Sequence, residues 1–197
     1  HSDGAVTIQA GEFSIPYCYE GVEGLSVTVE DGTFEITAYD DGFNAAGGAD
    51  SSGFGGRGDP FAASADSFIT INGGEFSGNR QTGTAASYSC YGSALSVGSS
   101  TSATLTINGG VFTDNHATVG ATIGALQSVV FNMNGGTVTG NTSGAVTGGI
   151  SIGYASTSYT GNGTLYLTGG TVQDNTGAEE TGSPQIYAMR SGQVVLN

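Results

Sequence analysis

The chain has no tryptophan and no lysine, and its only arginines are Arg57, Arg80 and Arg190. Set against 17 Asp and Glu, these give a formal net charge of −14, which argues against phosphate backbones and anionic membrane surfaces as direct partners. No nucleic-acid partner is expected. No apolar run approaches the ~18 residues of a membrane helix, so no membrane insertion is expected either, and no secretion signal is visible. Cysteine is nearly absent, with Cys18 and Cys90 alone. They open the similar stretches "CYEGVEGLSV" and "CYGSALSV" and read as equivalent places two coils apart, roughly 9.6 Å by the sheet spacing. That exceeds the ~7 Å Cα limit of a disulfide, so two free, buried thiols are expected.

Repetition is what the sequence does have. "VTIQAGEF" from Val6, "VTVEDGTF" from Val27, "ITINGGEF" from Ile69, "LTINGGVF" from Leu105, "FNMNGGTV" from Phe131 and "LYLTGGTV" from Leu165 share one pattern. Each alternates apolar and polar residues, the signature of a strand with one buried face, and then turns at Gly. Recurrence in a single phase, with irregular lengths between units, fits coils stacked in parallel better than hairpins. The expected fold is all-β, a right-handed single-stranded parallel β-helix (solenoid). Residues 1–197 read as a single β-helix domain, a fragment of a longer solenoid, with a Gly/Asp-rich loop insertion at 46–67.

Three columns follow from stacking the repeats. Phe13, Phe34, Phe76 and Phe112 recur two residues after the turn Gly and are expected in the core. Asn79, Asn115, Asn141 and Asn175 each lie five residues after the second Gly, where stacked amides form a hydrogen-bonded ladder. Thr7, Thr28, Thr70 and Thr106 form an outward column that continues to Asn132 and Tyr166, too irregular for an ice-binding face.

The acidic residues concentrate in the first coils. Val6 and Val27 are 21 positions apart. The same offset sets Glu20 over Asp41 and Glu23 over Asn44, with Asp40 in the same turn. Carboxylates stacked ~4.8 Å apart repel unless something compensates them. Ca2+ takes several oxygens from carboxylates, amides and backbone, often at Gly turns, and would turn this repulsion into cohesion. The expected metal residues are Glu20, Glu23, Asp40, Asp41 and Asn44, with Asp50 and Asp66 (and Asp59) supplied by the following loop. Tyr17, Tyr19, Tyr39, Tyr88 and Tyr91 recur in equivalent regions of the early coils, where exposed rings would stack on sugar faces.

These residues carry a resemblance. "HSDGAVTI", "YEGVEGLSVTV" and "YDDGFNAAGGAD" resemble successive coil motifs of a bacterial, secreted carbohydrate-binding β-helix family. That family is of the type described from cellulolytic clostridia, binding cellulose and pectin-like acidic polysaccharide with calcium. The resemblance spans residues 1 to about 76; beyond it, the "GGxFxxN" units resemble a wider class of β-helix adhesins. It implies a right-handed helix, a calcium motif on Glu20, Glu23, Asp40, Asp41 and Asn44, and an extracellular or bacterial cell-surface location.

Pectate lyases and polygalacturonases share the expected architecture, and "YDDG" offers the adjacent acids that a glycosidase needs. No basic residue stands beside them, however. A lyase would have only Arg57 to call on, and His116 lies several coils away. The functional expectation is therefore a non-catalytic, calcium-associated polysaccharide-binding or adhesive β-helix. The alternative is a structural surface protein or filament subunit with head-to-tail self-association, because open β-helix ends are sheet edges. "RGD" at Arg57 to Asp59 is too short a match to carry an integrin reading.

Overall fold

The computed structural model describes residues 2–45, 67–84, 92–99, 103–153, 162–178 and 182–197. The described residues form strands and turns with no helix, and all of the strand pairings are parallel. The chain is a parallel β-helix with three faces.

The first face stacks Ser2–Ile8, Val22–Val29, Phe68–Ile71, Thr104–Ile107, Val130–Met133, Gly163–Leu167 and Gly192–Leu196. Its register is the one expected from the repeats: Val6, Val27, Ile69, Leu105, Phe131 and Leu165 form one column that continues to Val194. From Val27 to Leu165 this column is fully buried. Period-two alternation is the cause, since each apolar residue enters the core while its neighbours, such as Thr28, Thr70 and Thr106, point outward.

On the second face, Glu12–Cys18, Thr33–Ala38, Glu75–Ser77, Val111–Thr113, Thr137–Thr139 and Thr171–Gln173 align the Phe column. The rings of Phe13, Phe34, Phe76 and Phe112 stack at successive centroid distances of 5.0, 4.9 and 4.6 Å. Val138 and Val172 continue the column. Phe43 meets Phe34 edge-on at 5.1 Å and 87°, closing the core from the third side.

That third face is the part the repeat pattern does not announce. It comprises residues 22–23, Phe43–Asn44, Gly92–Ser99, Ala121–Gln127, Ile150–Ile152 and Ile186–Ala188. Because Val22–Val29 pairs on both the first and third faces, the two run together as one 12-stranded sheet. Its strands are rich in Gly, Ala and Ser and end at no constant turn. The repeats differ in the number of residues that separate a third-face strand from the next first-face strand in the sequence, as between Asn44 and Phe68 and between Ile152 and Gly163. Of the expected 46–67 insertion, only the buried Ser67 is among the described residues.

Glycine is required at the turn from the first to the second face. Gly110 has φ of 95°, and a Cβ on Gly109 would lie 2.5 Å from the Asn72 carbonyl oxygen of the preceding coil. A second turn, within the second face, repeats a left-handed residue at Gly78, Asp114, Gly140 and Asp174, with φ of 69°, 54°, 66° and 56°. Only Gly, Asn and Asp adopt this conformation readily.

The residue after each of these is the expected Asn. Asn79 Nδ2 donates to Asn115 Oδ1 at 2.7 Å, Asn115 Nδ2 to Asn141 Oδ1 at 2.9 Å, and Asn141 Nδ2 to Asn175 Oδ1 at 2.8 Å. The ladder is buried and capped at both ends. The Ile36 N–H donates to Asn79 Oδ1 at 2.8 Å, and Asn175 Nδ2 donates to Gln185 Oε1 at 3.0 Å. The structural reading of these Asn residues is correct.

A second ladder was not foreseen. On the surface, Asn72 donates to Glu30, Asn108 to Asn72, Asn134 to Asn108, and the Thr168 hydroxyl to Asn134, all at 2.8 to 2.9 Å. The Asn of each "NGG" stands directly before the turn glycines. Its recurrence at one position of the coil is the signal that would have exposed the ladder.

Candidate metal centre

The acidic residues lie where the second face turns into the third, in the first two coils. Backbone hydrogen bonds hold this corner together: Tyr39 N–H donates to Cys18 O at 2.9 Å, Asp40 N–H to Tyr19 O at 2.9 Å, and Gly21 N–H to Asp41 O at 3.0 Å. The register is not the uniform offset of 21 expected from the sequence. Ile15 pairs with Ile36, but Cys18 pairs with Ala38, so the offset drops by one around Pro16, which has no N–H to donate. It has recovered by the pairs Val22 with Phe43 and Glu23 with Asn44. Between the two slips, Glu20 faces two consecutive residues of the next coil rather than one. This local bulge is why a single glutamate meets both Asp40 and Asp41.

Carboxylate oxygens of Glu20, Asp40 and Asp41 all lie within 4.8 Å of one another. The donors are hard carboxylate oxygens of the kind that a cation such as Ca2+ takes at ~2.4 Å, and they are gathered closely enough to make this corner a candidate cation site. Asp41 is buried and its Oδ1 also accepts the Gly92 N–H of the third coil at 2.9 Å. Asn44 stands beside the cluster through its nitrogen, with Nδ2 donating to Glu20 Oε1 at 3.0 Å. It orients Glu20; its oxygen would face the cluster only after the amide turned over. Glu23 is buried and stacked on Asn44, outside the group of three. Asp50, Asp59 and Asp66 lie outside the described residues.

The expected tyrosines partly converge on the same corner. Tyr19 and Tyr39, each directly preceding an acid of the cluster, stack at 5.4 Å and 24°. They remain 52% and 39% exposed, and Tyr17 is 73% exposed on the strand leading to them. The rings therefore stand outward rather than in the core. Tyr88 and Tyr91 lie outside the described residues, as do Arg57 and Cys90. Cys18 is a free thiol, half-buried, with Sγ 3.5 Å from the Thr37 carbonyl. Burial, and then the Glu20 charge, push its pKa up.

His116 belongs to another column, paired with Arg80 on one side and Thr142 on the other, and its Nδ1 lies 2.8 Å from Thr142 Oγ1. Partial burial and then the Arg80 charge lower its pKa from the ordinary value. A histidine held neutral in the fold contributes stability that is present above its unfolded pKa and lost as pH falls through that value and below. Arg80→Gln is expected to raise the His116 titration midpoint followed by NMR. A midpoint unchanged by the substitution would show that Arg80 does not act on it.

No protein-family model, no curated protein and no solved structure matches this chain.

Proposed function

We propose that the chain is a non-catalytic polysaccharide-binding β-helix that works outside the cell or on a bacterial cell surface and uses Ca2+ at Glu20, Asp40 and Asp41. The observation that carries this reading is the convergence of three carboxylates within 4.8 Å beside the exposed Tyr19 and Tyr39 pair. A bound calcium ion supplies positive charge and ligand positions beyond those the protein fills. The protein's own residues do the rest. Glu20, Asp40 and Asp41 hold the charge at the corner, Asn44 orients Glu20, and the tyrosine rings present apolar faces to a sugar.

Charge decides how an acidic polymer binds. At −14 the chain repels a polyuronate at long range, so attraction requires a cation shared between protein and polymer carboxylates. A neutral glucan such as cellulose meets no such barrier and needs only the rings. The absence of catalysis is part of the proposal, supported by Asp41, whose Oδ1 is engaged by the Gly92 backbone rather than open to a substrate.

Electrophoresis through gels containing pectate or a soluble cellulose derivative tests the reading. Retardation by pectate is expected with millimolar calcium and not with chelator, while retardation by the neutral glucan survives chelation and weakens in Tyr39→Ala. Calcium-independent retention by pectate would defeat the bridging mechanism. Retention by neither polymer would favour the structural-subunit reading, and release of reducing ends would overturn the non-catalytic assignment.

A further inference from the structure

The later coils hold a small cavity of about 130 Å³ on the third face, lined by Gly120, Ala145, Val146, Ser151, Tyr187 and Met189 among others. Ser151 and Tyr187 are paired neighbours in one outward column, Ser151 on Ile150–Ile152 and Tyr187 on Ile186–Ala188. In the coil before them the column carries only Gly124. Ser151 is 3% exposed, and its hydroxyl has no hydrogen-bond partner among the described residues. A buried hydroxyl without a partner is costly, and its usual explanation is a ligand or water that the site is shaped to receive. The neighbouring hydroxyls are already engaged: Ser143 Oγ donates to Gly120 O at 2.7 Å, and Thr147 Oγ1 accepts from Gly149 N–H at 3.0 Å. Tyr187 is 36% exposed and offers its ring from the side.

We infer that this cavity is a second carbohydrate subsite, taking one neutral pyranose ring with Tyr187 against the ring face and Ser151 Oγ hydrogen-bonded to a sugar hydroxyl. Size allows no more than one ring: a cavity of ~150 Å³ in another protein admits benzene, which is smaller than a pyranose, so the sugar would enter by one edge and keep the rest of its ring outside, beside the partly exposed Tyr187. Chemistry supports a neutral sugar. Among the described residues the lining combines apolar walls from Ala145, Val146 and Met189 with the unpartnered Ser151 hydroxyl and carries no charged side chain, so a uronate carboxylate would find no counter-charge from them. Ser151 both donates and accepts, as a sugar hydroxyl does. The subsite contains none of the carboxylates of the first two coils and stands independently of the calcium reading.

The two methionines make a direct test. Met189 lines the cavity, whereas Met133 is buried in the core and serves as the reference. With methionine methyls labelled for NMR, titration of the full chain with methyl β-glucoside or methyl β-xyloside is expected to shift Met189 saturably and leave Met133 in place. Tyr187→Ala, a change at a partly exposed position, should weaken that binding by about tenfold. Ser151→Ala should weaken it further while the Met133 signal reports an intact core. Chelator and Glu20→Gln should leave the Met189 response unchanged, which separates this subsite from the pectate experiment. Absence of a saturable shift at Met189 with either glycoside overturns the assignment. So does an equal response to cyclohexanol, which would mark a merely apolar cavity, or undiminished binding by Tyr187→Ala.

Discussion

Chelating calcium is expected to lower the melting temperature of this protein by about 5–10 °C. A ligand bound to the native state at a hundredfold excess over its Kd stabilises by about 2.7 kcal/mol. At ~2–4 °C per kcal/mol for a chain of this size, that gives the stated shift. The structural basis is the corner where Glu20 faces Asp40 and Asp41. Without a cation these carboxylates repel across adjacent coils; with one they crosslink them. The most informative variant is Glu20→Gln, which keeps the side chain's size and removes one charge. It should abolish most of the calcium-dependent shift and, in chelator, should be no less stable than the wild type because it relieves repulsion. Asp41→Ala is a harsher change, since it also removes the acceptor of the Gly92 N–H and leaves that buried donor without its partner, a loss of about 1–3 kcal/mol even in chelator. Asp174→Gly lies far from the corner and keeps the left-handed backbone, so its calcium response should match the wild type. A melting temperature indifferent to chelator, measured by calorimetry, would remove the metal from the account.

The second large effect concerns Asn115. Its amide makes four hydrogen bonds inside the protein: Nδ2 donates to Phe76 O and Asn141 Oδ1, both at 2.9 Å, and Oδ1 accepts from Asn79 N at 2.9 Å and Asn79 Nδ2 at 2.7 Å. Asn115→Ala leaves three buried groups of the preceding coil, Asn79 N–H, Asn79 Nδ2 and Phe76 O, without these partners, and leaves Asn141 Oδ1 of the following coil with the Asn115 backbone N–H alone. At about 1–3 kcal/mol for each group that water cannot reach, a total loss of about 3–6 kcal/mol is expected. Asn108→Ala provides the contrast. Asn108 also donates to one neighbour and accepts from another, but on the surface, where water replaces both, so the loss should stay below about 1 kcal/mol. Urea unfolding with circular dichroism measures the difference. Because each coil touches only its neighbours, hydrogen exchange should also show the Asn115→Ala damage concentrated in the adjoining coils. Equal losses for the two variants would mean that burial does not govern the ladder.

The sequence determined this protein's columns. Alternation of apolar and polar residues fixed which side chains enter the core, and a Gly turn after each strand fixed where the next begins. The Val6 column, the Phe stack and the buried Asn ladder were therefore legible residue by residue. They were legible because stacking in register places identical positions over one another, so that one-dimensional repetition becomes spatial neighbourhood.

Only the tertiary structure decided what depends on a local departure from that repetition. The third face was hidden because its strands are short or rich in small residues and adjoin segments of unequal length. The one-residue slip at Pro16 was hidden too, although it sets Glu20 against two aspartates and Tyr19 against Tyr39. A uniform offset found the acidic neighbourhood without its geometry, since pairing register answers to hydrogen-bond supply along the whole strand and a residue lacking an N–H shifts it. The cavity at Ser151 and Tyr187 shows the same limit. Both residues look ordinary in the chain, and they become a site only because adjacent coils bring a buried hydroxyl and an exposed ring to one hollow.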